Sequence, residues 1–286
     1  MPELPEVETI ARILREGKEG IASITGKRIT RATIWWERCV ASPSAGAFCQ
    51  RIQGQVIEEI SRRGKYIVIT LTKDTLLIHL RMSGDLRVEE GCSDPAERIF
   101  HKHDRAALWL EGGTCLVFED TRKFGRLWLL EDPQEELGKL GPEPLAETLS
   151  AEEFHQMLSQ HRRQLKPLLM EQSFLAGLGN IYTDEALFRA HLHPLLVSSD
   201  INKQQAASLL NAIRETLQEG IRRNGTSIDW VYRGGDFQNQ LCVYGRAEEA
   251  CRVCGTPIER MVVGQRGTHF CPHCQPEPKK NDPENS

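Results

Sequence analysis

The sequence predicts an α+β fold in two domains: an antiparallel β-sandwich or barrel led by one helix, then a helical region closed by a cysteine-rich hairpin. Three observations carry this. Apolar residues recur at helical spacing near the N-terminus, short strand-like runs fill Lys27–Leu130, and helical periodicity then leads into C-x2-C-x16-C-x2-C. With 286 residues, 40% of them hydrophobic, there is apolar material for two ordinary cores.

The first helix is expected from about Pro5 to Lys18. Proline is tolerated in a first helical turn, and Val7, Ile10, Ala11 and Leu14 then fall on one face. Strands are expected at Tyr66–Thr72, Leu76–Leu80, Ala106–Leu110, Cys115–Glu119 and Leu127–Leu130. Lys73-Asp74, Ser83-Gly84, Gly112-Gly113 and Phe124-Gly125 supply turns between them. Residues 1–130 thus form one domain. The stretch 131–150, with its prolines, glycines and acids, reads as an interdomain linker. Helices are expected at Ala151–Gln160, Lys166–Gln172, Ile181–Ala190 and Lys203–Asn224 in a domain spanning 151–240. A metal-held hairpin covers 241–275, and the polar tail 276–286 is expected to be disordered.

No run approaches the roughly 18 apolar residues of a membrane helix, so a protein that spans the membrane is not expected. The opening MPELPEVE carries acids and no base, unlike a secretory signal, and a cytoplasmic location is expected. The formal charge of −4 argues at first against a nucleic-acid partner. Eight acids and one base lie between Glu131 and Glu153, however, and the remainder of the chain carries +3. Basic clusters then stand out at Arg62-Arg63-Gly64-Lys65, Arg162-Arg163 with Lys166, Arg222-Arg223, and Arg252, Arg260 and Arg266. A binding face needs local positive potential, not a positive total.

Cys39, Cys49, Cys92, Cys115 and Cys242 are scattered and suit reduced thiols. Cys251, Cys254, Cys271 and Cys274 have zinc spacing. Four thiolates fill a tetrahedral shell and leave no place for a catalytic water, so one structural zinc ion is expected. Strands Ile258–Val263 and Thr268–Phe270 would flank a turn at 264–267, with Arg266 held near its tip to meet phosphates. In GLGN, Asn180 is a suitable N-cap for the helix that follows, whose N-terminus would attract phosphate. Lys166 and Arg163 are within sequence reach of the same group. Removal of Met1 would leave Pro2 as a free secondary amine, titrating near 8 where a lysine titrates near 10.4. Attack on a sugar carbon would give an iminium that cannot discharge by losing an N–H. Glu3 and Glu6 stand beside it, suited to proton transfer.

PELPEVE at Pro2–Glu8, RRGKY around Lys65, HLRMSGDLR around Met82, HKHD around His103 and RKFG at Arg122–Gly125 come in that order. LGPEPL at Leu140–Leu145, GLGNIYTDEALF at Gly177–Phe188, VYGR at Val243–Arg246 and the four-cysteine finger follow. Together, along nearly the whole chain, they resemble the formamidopyrimidine-DNA glycosylase family, bacterial base-excision enzymes for oxidised purines. The resemblance implies an N-terminal catalytic β-sandwich and a helix–two-turn–helix domain with a zinc finger, enclosing damaged double-stranded DNA. It further implies a bifunctional glycosylase and abasic-site lyase, expected to be monomeric and without a small-molecule cofactor.

By the same resemblance Pro2 is the nucleophile, Glu3 moves a proton at the sugar, Lys65 serves β-elimination and Arg266 δ-elimination. Met82, Arg122 and Phe124 would fill the gap left by the everted nucleotide, Arg122 facing the orphaned cytosine; spacing alone would instead make Met82 and Phe124 core residues. His103, Lys166 and Asn180 match positions that hold DNA phosphates. One departure is a short segment between Ile228 and Tyr244, where Val231–Gln240 would have to supply the loop over the everted base. Competing expectations are an endonuclease VIII-like enzyme for oxidised pyrimidines, which usually has glycine where this chain has Leu4, and a non-catalytic binder of damaged DNA. A zinc-ribbon interaction module would leave the N-terminal motif unexplained.

Overall fold

The computed structural model describes residues 1–18, 20–91, 101–227 and 234–277. Cys92, Val231–Arg233 and the tail beyond Glu277 lie outside them. The chain divides into two compact units, residues 1–139 with 221–236, and residues 140–220 with 237–286. No described helix is long and apolar enough to cross a membrane.

In the first unit, α1 (Leu4–Glu16) has Pro5 in its first turn, as expected, and buries Leu4, Val7, Ile10, Ala11 and Leu14. At roughly 1.5–3 kcal/mol for each fully buried large aliphatic side chain, that stripe is the helix's main source of stability. One sheet runs β1 (Ile29–Ile34), β7 (Asp104–Leu110), β8 (Thr114–Asp120), β6 (Gly84–Glu90). The other runs β2 (Val40–Ser42), β9 (Arg126–Leu130), β5 (Thr75–His79), β4 (Tyr66–Leu71), β3 (Ile57–Arg63). Among the described strands only the β2–β9 pair is parallel. Ala106, Leu108, Leu116 and Phe118 of the first sheet share one core with Ile67, Ile69, Leu76, Ile78, Leu127 and Leu129 of the second, so the fold is a sandwich. The opposite face of the first sheet packs Ala107, Trp109, Cys115 and Val117 together. Helix α2 (Ala45–Ile52), N-capped by Ser44, adds Phe48 and Ile52 to the main core.

The acidic stretch is more ordered than a free linker. Its first half forms α3 (Gln134–Leu137) with Leu137 buried. Its second half belongs to the other unit, where the Arg214 guanidinium donates to the carbonyls of Pro144, Ala146 and Leu149 at 2.8, 3.0 and 2.6 Å. Proline, glycine and charge mark the break in periodicity but not these long-range donors.

In the second unit α4 (Ala151–Ser159) starts on a Ser150–Glu153 capping box. It is followed by α5 (Leu165–Leu169), α6 (Asn180–Arg189) and α7 (Lys203–Arg222), the last running into the segment grouped with the first unit. Ile181–Phe188 are all buried, which makes α6 the centre of this unit and takes Asp184 and Glu185 inside. The hairpin β10 (Glu259–Val263) and β11 (Arg266–Phe270) completes it.

Candidate catalytic and nucleic-acid-contacting residues

Pro2, Glu3 and Glu6 are all buried at the start of α1. Glu6 Oε2 accepts the Glu3 N–H at 2.9 Å, while Oε1 accepts the Thr226 N–H at 2.7 Å and its hydroxyl at 3.3 Å. With both oxygens engaged, Glu6 fixes the chain start to the segment after α7. These bonds give Glu6 a positioning role at the chain start, beside the proton transfer expected of it. Arg12 reinforces the same junction by donating to Asn224 Oδ1 at 2.7 Å.

Lys65 follows Gly64 in the tight β3–β4 turn and is only 4% exposed. Close by is a residue that sequence reasoning did not single out. His79 pairs with Tyr66 across β4–β5, its ring edge-on to the tyrosine at 4.7 Å, and Nδ1 accepts the Arg81 N–H at 3.0 Å. Burial, helped by the Arg81 and Lys65 cations, pushes its pKa down to about 3, so the imidazole is neutral. The accepting Nδ1 places the remaining proton on Nε2. Its only mark in the sequence is its place in HLRMSG, three residues before Met82.

Met82 is half-buried, Arg122 is exposed and Phe124 is 54% exposed. The alternative that Met82 and Phe124 are core residues therefore fails. Met82, His101, Lys102, His103 and Arg122 border one open cavity of about 1300 Å³. Its lining carries the cations Lys18, Arg87, Lys102 and Arg122 beside the acids Asp85 and Glu119, a local excess of positive charge despite the negative total. His103 is half-buried, with Nδ1 3.4 Å from Arg105 Nη2.

In the second unit, three phosphate-site expectations meet different outcomes. Arg163 is exposed and pairs with Glu171 at 2.5 Å, holding that carboxyl below its ordinary range. Lys166 is 0% exposed: Nζ lies 2.6 Å from Asp184 Oδ1 and donates to the Gly267 carbonyl at 3.1 Å and Thr268 Oγ1 at 2.8 Å. In this structure the Lys166 ammonium thus holds the hairpin through Asp184, Gly267 and Thr268. Asn180 is the first helical residue, not the N-cap, which is Gly179. Its Nδ2 donates to the same Gly267 carbonyl at 3.0 Å.

These bonds converge beside Arg266. The hairpin turn is two residues, Gly264 and Gln265, with φ of 55° and 63°, the left-handed pair of a type I′ turn. Arg266 is thus the exposed first residue of β11, opposite Val263, and not a member of a four-residue turn. A Cβ at Gly264 would stand 2.8 Å from Pro167 Cγ, so glycine also lets the turn seat on α5.

The sulfurs of Cys251, Cys254, Cys271 and Cys274 lie within 4.8 Å of one another, and the four are free thiols. A tetrahedral zinc with Zn–S near 2.3 Å needs sulfurs about 3.8 Å apart, which this cluster fits. The Thr256 hydroxyl and N–H pull the Cys254 thiol down to about 6, making it a ready thiolate. Glu185, buried on α6, accepts the N–H groups of Cys242, Val243 and Tyr244 at 2.8–2.9 Å and fixes the chain entering the finger. Zinc removal by a tight chelator should unfold residues 248–276 and weaken DNA binding about tenfold or more, without altering the first unit. Far-UV dichroism and a binding titration with added chelator check this; unchanged binding by zinc-free protein would exclude a structural metal.

Family models match three stretches. They are the formamidopyrimidine-DNA glycosylase N-terminal domain over residues 1–127, the H2TH domain of the same enzymes over 140–231, and a zinc finger found in FPG and IleRS over 248–276. The formamidopyrimidine-DNA glycosylase of Protochlamydia amoebophila is 40% identical over 96% of this chain and 99% of its own length. That of Heliobacterium modesticaldum is 42% identical over 96% and 100%. Among solved structures, MutM in complex with carbocyclic 8-oxo-G containing DNA superimposes with a TM-score of 0.87 at 36% identity. A Lactococcus lactis FPG mutant with Fapy-dG containing DNA gives 0.87 at 35%. Both alignments cover 96% of this chain and all of the other.

Proposed function

This chain belongs to the formamidopyrimidine-DNA glycosylase family of base-excision repair, and we propose that it excises oxidised purines from damaged duplex DNA through its N-terminal proline and then nicks the strand. The observation that supports this most is the chain start. Pro2 and Glu3 are buried side by side, and Glu6 ties the Glu3 N–H to Thr226, an arrangement that would hold a Pro2 amine in one place once Met1 is removed.

The Pro2 nitrogen bonds to C1′ as the bond from C1′ to the base breaks, its electron pair leaving with the base. Glu3 gives a proton to the sugar ring oxygen as the ring opens to the iminium. The fixed positive charge acidifies the C2′ hydrogen; its loss expels the 3′ phosphate, with Lys65 serving this β-elimination. Arg266 serves the following δ-elimination, which releases the 5′ phosphate. Met82, Arg122 and Phe124 occupy the space the everted nucleotide leaves, a task suited to two apolar side chains and one guanidinium. His103, Arg163 and the N-terminus of α6 at Asn180 face phosphates. Zinc, held by the four cysteines, shapes the finger and takes no part in the steps.

The test is a nicking assay on duplexes carrying 8-oxoguanine, a formamidopyrimidine or an oxidised pyrimidine. The purine lesions should be cut about 10-fold faster or more. A reversed order would favour the endonuclease VIII-like reading, and binding without nicking would favour a non-catalytic binder.

A further inference from the structure

The wedge side chains sit on two separate turns of the first unit, and one buried carboxylate joins them. Met82 lies in the turn between β5 and β6, Arg122 and Phe124 in the turn between β8 and β9. Asp120, at the end of β8 and 1% exposed, stands between the two. Its Oδ1 accepts the Ser83 hydroxyl at 2.5 Å and the Arg122 N–H at 3.1 Å; its Oδ2 accepts the Gly125 N–H at 2.7 Å. Ser83 Oγ also accepts the Arg122 N–H at 2.9 Å, so both turns share one hydrogen-bond knot.

Three further contacts restrain the second turn. The Arg126 guanidinium donates to the carbonyls of Lys123, Phe124 and Gly125 at 3.4, 3.3 and 3.0 Å. The Lys123 ammonium lies 4.2 Å from the centre of the Trp36 ring, a cation–π contact. A Cβ at Gly125 would fall 2.4 Å from Phe118 Cζ and 3.2 Å from Asp120 Oδ2, so only glycine lets the loop close on the carboxylate. Phe124 is therefore exposed on a backbone that is bound from several sides. A side chain that must displace a base is effective only if its own backbone does not yield.

We propose that Asp120 is the positioning residue of the wedge, holding Met82, Arg122 and Phe124 as one rigid unit, with Ser83 as the bridge between their turns. This rests on the wedge role given to those three residues under Proposed function. Asp120→Asn keeps the size but turns one acceptor into an NH2 group that faces N–H or O–H donors. Excision of 8-oxoguanine from duplex DNA should fall about 10- to 100-fold. Cleavage of a single-stranded abasic oligonucleotide, which needs no displacement of a base from a stack, should stay within about 2-fold of the parent. In a Met82→Ala/Phe124→Ala background the same substitution should add no more than about 3-fold, because its effect travels through those side chains.

An undiminished duplex rate in Asp120→Asn, or a loss that multiplies with that of the double variant, overturns the proposal. Should Asp120→Asn lower both substrates equally, Ser83→Ala decides: a duplex-selective loss there supports the proposal and an equal loss overturns it. A double variant that excises at the parent rate removes the wedge reading itself and this inference with it. A slow double variant beside a normal Asp120→Asn removes the inference alone.

Discussion

Borohydride reduction on lesion-bearing duplex should yield a covalent protein–DNA adduct, and retention of Met1 or Pro2→Gly should lower its yield by about 10²-fold or more. The expected size follows from losing the attacking group itself, not one of its helpers. Retained Met1 turns the Pro2 nitrogen into an amide without a nucleophilic lone pair. Glycine restores an amine, but a primary one, whose imine can shed its proton and with it the charge that drives elimination. The buried, bonded start of α1 makes the geometry unforgiving, because Glu6 holds the Glu3 N–H directly after Pro2. Gel quantification of the trapped adduct measures the effect. Equal trapping by the Met1-retaining form would place the nucleophile elsewhere.

Asp184→Ala should destabilise the second unit by about 3–5 kcal/mol. Lys166 and Asp184 are both 0% exposed and 2.6 Å apart. Removing the carboxylate takes away the anion 2.6 Å from a buried ammonium that also donates to Gly267 O and Thr268 Oγ1, and an uncompensated buried charge costs about that much. The Asp184 Oδ2 acceptor of the His269 N–H at 2.9 Å is lost as well, so the base of the Arg266 hairpin loosens. Replacing both partners, Lys166→Met with Asp184→Leu, should recover most of the loss, since a well-packed apolar pair needs no compensation. Urea unfolding of the three proteins provides the check. A single-variant loss below about 1 kcal/mol would mean that Lys166 reaches water.

The parts of this molecule that local pattern encodes were readable from the chain. Val7, Ile10, Ala11 and Leu14 announce α1, and the apolar runs at Tyr66–Leu71 and Ala106–Leu110 announce strands. The cysteine spacing announces a cluster that the fold then closes. The expected strands omit β1, β2, β3 and β6, and α2 was not expected, because their alternation is broken by charged or half-buried positions such as those of Gly84–Glu90. Residues whose meaning lies in distant partners were read only in part or missed. Asn180 and Lys166 obey local rules for a cap and a phosphate ligand, yet both are used by the Gly267 carbonyl, 87 and 101 residues away. Asp120, Asp184 and Glu185 look like ordinary acids of a strand or helix. Only the fold shows that each is buried to bind backbone or an ammonium.

The decisive measurement is the mass of the reduced adduct after proteolysis and nuclease trimming. The sugar remnant should be found on a peptide beginning at Pro2, attached to its nitrogen, with Met1 absent. A remnant on Lys65, on another lysine or on a chain that still carries Met1 would contradict the proposed chemistry.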